Sequence, residues 1–306
     1  MILVTGASGF VGSALLPALL DAPARGLGDA PYVSRPVRAL VRREFDAVRL
    51  RAQGVEAVTG DLVAGRGLDA AMRGVKTLVY LVHTLDRGGD VVANDLLAVQ
   101  NTLIAARAAG VQRVIYLGHV GAAEDAASQH LVARWATELA VRQSRLAWTV
   151  LRAPLIVGAG GTVFELIRRT VARSPVVPLF RWRRTEIEPV ALADVVEALV
   201  RTIDDPSMAE RSYDITGPER MTCGEAVRGW ARAAGKHRLF VPLPGWGEPF
   251  EEQLAWSLVR LPRRETRLLL ETLRTRQVCA DPSRRFPLGR RPVSYAEAVQ
   301  AVLRGR

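Results

Sequence analysis

Three glycines spaced three apart, Gly6, Gly9 and Gly12, carry the clearest chemistry in the chain. Glycine permits a tight turn and a close backbone approach to an anion, and the exposed N–H groups of a helix start face that anion. A short apolar run, Ile2 to Val4, precedes the glycines and predicts a strand. Val11, Ala14, Leu15, Ala18 and Leu19 follow on one helical face. Strand, glycine turn and helix in that order form a pyrophosphate site, with Ser8, Phe10 and Val11 between the glycines. Among residue types that move protons near neutral pH, the chain has only four histidines, and His130 lies four residues before Arg134 on one helical face. No His-Glu-x-x-His pattern exists and Cys223 and Cys279 are isolated, so no metal site is expected. Ser8 lacks the setting of a hydrolase nucleophile because Phe10 stands where the second glycine is required.

Further strands are predicted at Val37–Val41, Val55–Thr59, Lys76–Val82, Gln112–Leu117 and Ala147–Leu151, with helices over 89–110 and 126–145. Asp21 to Pro36, rich in Ala, Gly and Pro, reads as a loop, and Pro17 lies inside the first helix. Alternating strands and helices predict an α/β chain, a doubly wound parallel Rossmann sheet over residues 1–155. A smaller C-terminal substrate or partner lobe follows over 156–306, with some segments returning to the sheet. Ligands then meet the carboxyl edge of the strands. The second strand ends in Arg42-Arg43 with no acid at the position that would hold a ribose 2′-hydroxyl, Glu44 being the nearest. Arginine there suits a 2′-phosphate, which favours NADP(H) over NAD(H).

Thr5 to Gly12, Tyr80-Leu-Val-His83, the segment from Asp86 to Gly118 and Ser128 to Leu131 together resemble the extended and atypical short-chain dehydrogenase/reductases. The NmrA-like redox sensors and the dinucleotide-binding accessory subunit of respiratory complex I are similar. The likeness continues through Leu151-Arg-Ala-Pro154, Asp194 and Tyr213 to Pro218 and fades after about residue 235. It implies that Asp61 and Leu62 lie beneath the adenine, that Leu81, Val82 and His83 run past the ribose and phosphates, and that Pro154 marks the step into the substrate lobe. Asp61 could instead cap the next helix. The superfamily's Tyr-x-x-x-Lys pair does not occur: the residues four before Lys76 and Lys236, the only lysines, are Met72 and Arg232. His130 and Arg134 stand at the expected place, and His119 replaces the helper Ser or Thr after the fifth strand. In one reading His130 moves a proton while Arg134 holds the nicotinamide ribose. In the other the protein binds the dinucleotide without turnover, as a redox sensor or accessory subunit.

The net charge of +11 is almost all arginine. Residues 1–150 hold 16 basic and 13 acidic side chains, and residues 151–306 hold 26 and 18. A basic lobe can attract anions, yet no helix-turn-helix or aromatic RNA motif supports nucleic acid as a partner. No apolar run reaches the roughly 18 residues of a transmembrane segment. With no basic region before the first strand and two cysteines, a cytoplasmic location is expected. The expected ligand is a small, apolar carbonyl, enone or quinone, and a homo-oligomer is left open. Phe164, Phe180, Trp182 and Trp246 are candidates for an apolar pocket, and Glu248 to Arg276, broken by Pro262, reads as a helix pair.

Overall fold

A computed structural model describes residues 1–21, 35–243, 248–259 and 263–305. Most of the expected 21–36 loop, Trp246 and Pro262 therefore lie outside the described residues. The chain forms two compact units. The first comprises Met1–His119, Ala133–Arg152 and Val196–Tyr213; the second comprises Val120–Val132, Ala153–Val195 and Asp214–Arg306. The chain thus passes between units several times. One cause is the strand Arg211–Asp214, which returns late in the sequence to extend the first unit's sheet.

The first unit alternates β1 (Ile2–Thr5), α1 (Phe10–Asp21), β2 (Val37–Val41), α2 (Glu44–Ala52), β3 (Glu56–Thr59), α3 (Leu68–Met72) and β4 (Thr77–Tyr80). It continues with α4 (Val91–Ala108), β5 (Arg113–His119), α5 (Gln129–Arg142), which begins in the second unit, and β6 (Ala147–Ala153). The sheet order is β3-β2-β1-β4-β5-β6, with Arg211–Asp214 beyond β6. This is the doubly wound Rossmann order. The four pairings from β3 to β5 are all parallel.

Alternation along the strands explains why both faces need cover. Leu3, Leu40, Leu78, Val114 and Val150 face a core shared with Ala71 and Met72 of α3 and Ala98, Val99 and Leu103 of α4. The intervening Val4, Ala39, Val79 and Ile115 are also fully buried, so the opposite face is covered as well. Arg38 interrupts this pattern on β2 but is satisfied: its guanidinium donates to Glu56 and to the carbonyls of Ala71 and Arg73. The second unit builds its own core from the helices Thr162–Arg173 and Cys223–Ala233, where Phe164 packs edge-on against Trp230. The helix pair expected after residue 248 is present as Glu248–Val259 and Arg263–Leu273.

The glycine turn leaves no room for a side chain at Gly12. Gly6 has φ +71°, and a Cβ on Gly12 would lie 2.3 Å from the Gly6 carbonyl oxygen and 2.7 Å from Ala7 Cα. Both contacts are to backbone, which cannot swing aside. Gly12→Ala is therefore expected to cost about 1–3 kcal/mol through overpacking. A urea melt of the variant beside the parent checks this, and an unchanged midpoint would contradict the packing.

Candidate functional site

Strand register gathers the candidate cofactor residues at one edge of the first unit's sheet. Thr5 is level with Leu40 on β2 and with Tyr80 on β4. The segments leaving these strands, Gly6–Gly12, Val41–Arg43 and Leu81–His83, therefore emerge side by side. Gly6 and the Leu81–His83 segment are in close contact: a Cβ on Gly6 would lie 3.2 Å from the Leu81 carbonyl and 3.3 Å from a Val82 methyl. Val41 is level with Thr59, and the Gly60 N–H donates to the Val41 carbonyl at 3.0 Å, so Gly60 and Asp61 leave beside Arg42. Tyr80 is level with Tyr116, which brings the end of β5 at His119 to the same edge.

Each position contributes differently. The Gly9 N–H turns back to the Gly6 carbonyl and Ser13 continues the ladder to Gly9, so α1 starts directly on the turn. The first-turn N–H groups of Phe10, Val11 and Gly12 have no acceptor within the helix, so they can donate hydrogen bonds to an anion. Arg42 and Arg43 are exposed at the end of β2. Glu44 is engaged with Arg51 at 2.7 Å on its own helix. Asp61 does not cap the next helix, whose cap position is Gly67. Instead its Oδ1 accepts from the N–H groups of Val63 and Ala64, and one Arg87 nitrogen donates to both of its carboxylate oxygens at 2.8 Å. Burial opposes the Asp61 charge, but the Ala64 N–H and Arg87 outweigh it and hold the carboxyl below its usual range. Leu62 is buried in the core, so only its backbone is presented. His83 is exposed and His119 half-buried.

Arg134 is committed to the interior. Its guanidinium is buried and donates to Asp95 of α4 at 2.7 Å and to the Val82 carbonyl at 3.0 Å. Asp95 in turn accepts from the Thr84 N–H at 2.7 Å. One buried ion pair thus ties down both ends of the segment Val82–Thr84. The guanidinium also lies over the Tyr116 ring, 5.8 Å from its centre. Burial disfavours the Arg134 charge, yet Tyr116 and Asp95 more than compensate and raise its pKa. Burial also pushes the Tyr116 hydroxyl up to about 12 and Tyr80 well above its ordinary value. Neither tyrosine can serve as the missing acid: the Tyr116 hydroxyl donates to the Arg134 carbonyl, and both rings are closed off.

His130 and Pro154 belong to the second unit, His130 half-buried in the first turn of α5 and Pro154 buried just after β6. Ser128, two residues earlier, is fully buried, and its hydroxyl has no partner among the described residues. Sequence reasoning missed Ser128, Asp95 and Arg87 as site-forming residues. Asp95 had a signal: Val91, Asp95, Val99, Thr102 and Ala106 form the buried stripe of α4, and an acid there requires a partner. Arg87 had none, since only folding brings it to Asp61.

Breaking the ion pair from either side strands a buried charge. Arg134→Met and Asp95→Leu are each expected to destabilise by about 3–5 kcal/mol. Together they should cost clearly less than the sum, and a double-mutant cycle by urea denaturation measures the coupling. Additive effects would show that the pair does not act as a unit.

Residues 1–252 match the sequence profile of the NmrA-like family. An NAD(P)H azoreductase of Xenophilus azovorans is 28% identical over 246 residues, 79% of this chain and 77% of the relative. A ceramide reductase of Caulobacter vibrioides is 29% identical over 252 residues, 81% of this chain and 74% of the relative. The triphenylmethane reductase of Citrobacter sp., solved as a complex with NADP(H), superposes with a TM-score of 0.78 at 21% identity. That match covers 99% of this chain and 100% of the other, and it shows a shared fold. With a family profile spanning most of its length and a Rossmann sheet that gathers the glycine turn at its carboxyl edge, the chain belongs to the NmrA-like family.

Proposed function

We propose that the chain is an NADP(H)-dependent reductase of a small carbonyl, enone or quinone, working without a Tyr-x-x-x-Lys pair. The observation that carries this reading is the sheet edge itself. A glycine turn too tight for a side chain at Gly12 stands beside Arg42 and Arg43, while the nearest acid, Glu44, is occupied by Arg51. The cradle fits a dinucleotide: N–H groups of Phe10 to Gly12 for the pyrophosphate, and arginine in place of a ribose-binding acid for a 2′-phosphate. When bound, the nicotinamide supplies hydride. Asp61, fixed by Arg87, and the Leu81–His83 backbone, fixed through Arg134 and Asp95, hold the nucleotide's adenine and ribose ends. Arg134 is thus a positioning residue rather than a ligand of the ribose. His130 would donate a proton to the substrate oxygen, completing reduction of a carbonyl to an alcohol. His119, at the end of β5, is the candidate helper in place of the superfamily's Ser or Thr. The relatives' described activities as NAD(P)H-dependent or other reductases support this class of reaction.

The second reading, a non-catalytic NADP(H)-binding sensor or accessory subunit, rests on the absent Tyr-x-x-x-Lys pair. Turnover separates the two. NADPH oxidation with a panel of quinones, ketones and enones is expected, and His130→Ala should lower it about 10²–10⁴-fold while NADPH still binds. Unchanged turnover would remove His130 from the chemistry, and no turnover with tight binding would favour the sensor. In calorimetric titration, Arg42→Ala should weaken NADPH binding about ten- to hundred-fold, the worth of one charge-assisted phosphate contact, and leave NADH binding nearly unchanged. Equal losses for both nucleotides would refute the 2′-phosphate assignment.

A further inference from the structure

The second unit contains an apolar cavity among its helices, partly open to solvent. Interiors of folded chains are normally close-packed, so such a gap calls for an explanation. Helix Thr162–Arg173 contributes Leu166 and Ile167, helix Cys223–Ala233 contributes Val227, and helix Arg263–Leu273 contributes Leu270 and Leu273. Among the described residues, no Asp, Glu, Lys, Arg or His lines it. The few polar atoms on its wall are mostly spent on the protein: the Thr170 hydroxyl donates to the Leu166 carbonyl at 2.8 Å, and the Cys223 thiol faces the Leu273 carbonyl at 3.9 Å. Burial lifts that thiol to about 12, so it stays neutral.

We infer that this cavity binds an uncharged, unbranched aliphatic chain, the tail of a substrate whose reducible group lies elsewhere. The inference rests on the reductase reading for the head group and specifies the substrate class that reading leaves open. Three observations select the chain. A wall without charge would leave a carboxylate, phosphate or ammonium unsolvated and unpaired, which excludes a charged ligand part. The wall also offers little for a strongly hydrogen-bonding ligand such as a sugar. Finally, aliphatic side chains dominate it among the described residues, where Phe180 and Trp182 supply the ring faces, so it suits methylene groups better than a planar aromatic system. Trp182 gives the site a reporter, since its indole N–H is buried with no acceptor among the described residues.

The test uses the full chain and 1-alkanols from butanol to decanol, followed by tryptophan fluorescence and calorimetry. Each added methylene should tighten binding about fourfold until the cavity is filled. 1-Naphthol, a planar alcohol with as many carbons as decanol, should bind more weakly than decanol. Ala226→Leu, which fills part of the cavity, should bring the plateau to a shorter alcohol, and Leu270→Ala should move it to a longer one. Trp182→Phe should remove most of the fluorescence change without removing the calorimetric signal. Affinity independent of chain length, tighter binding of 1-naphthol, or a plateau unmoved in both cavity variants would overturn the inference. An NADPH titration of the same samples separates the two claims. NADPH binding without the chain-length series defeats the tail site alone, whereas the series without NADPH binding defeats the reductase reading alone.

Discussion

The approach of Gly12 to the Gly6 carbonyl fixes much of the first unit. A helix start can serve as an anion site only if the strand, the turn and the first helical N–H groups converge, and here they do so with no room for a Cβ. The same turn presses Gly6 against Leu81 where β4 ends, which sets how the neighbouring strand must leave the sheet. Parallel register carries that constraint outward to Arg42 and Asp61 on one side and to His119 on the other. The convergence of these segments at one sheet edge follows from one steric condition propagated through hydrogen-bonded strands.

The second constraint is electrostatic. Asp95 and Arg134 are both almost fully buried, in a layer that also holds Tyr80 and Tyr116. An ion pair in such a place gives little net stability because desolvation offsets much of the attraction. What it adds is geometry. The carboxylate holds the Thr84 N–H and the guanidinium holds the Val82 carbonyl, so a loop with no regular secondary structure between them is fixed without a ligand. This is the kind of prearrangement that a site must have before binding energy can be used for chemistry.

The arginine excess of the second half is partly explained by internal acids. Glu188, buried, accepts from Arg220, Arg285 and the Cys279 N–H, which knits together segments distant in sequence. Asp194, fully buried, accepts from Arg290 and the Val293 N–H, and Arg274 pairs with Glu251. Among these arginines the charge serves packing between chain segments and need not signal an anionic partner. No helix among the described residues is long and apolar enough to cross a membrane.

The sequence alone determined the Rossmann class, the position of the glycine turn and six strands of the sheet to within a few residues, because these depend on local periodicity and on backbone freedom at glycine. The β2 strand fell at Val37–Val41 as expected, and Arg42 and Arg43 follow it at the sheet edge. It also determined that the Tyr-x-x-x-Lys pair is absent, which is a matter of spelling rather than folding. Tertiary structure alone decided where Arg134 goes. Helical spacing placed it on the face of His130, but pairing with Asp95, 39 residues earlier, draws the guanidinium into the interior. It likewise decided that Asp61 is held by Arg87 rather than capping a helix, and that Phe164 is core while Phe180 and Trp182 line a cavity. Local spacing encodes which residues share a face; only packing decides what that face meets.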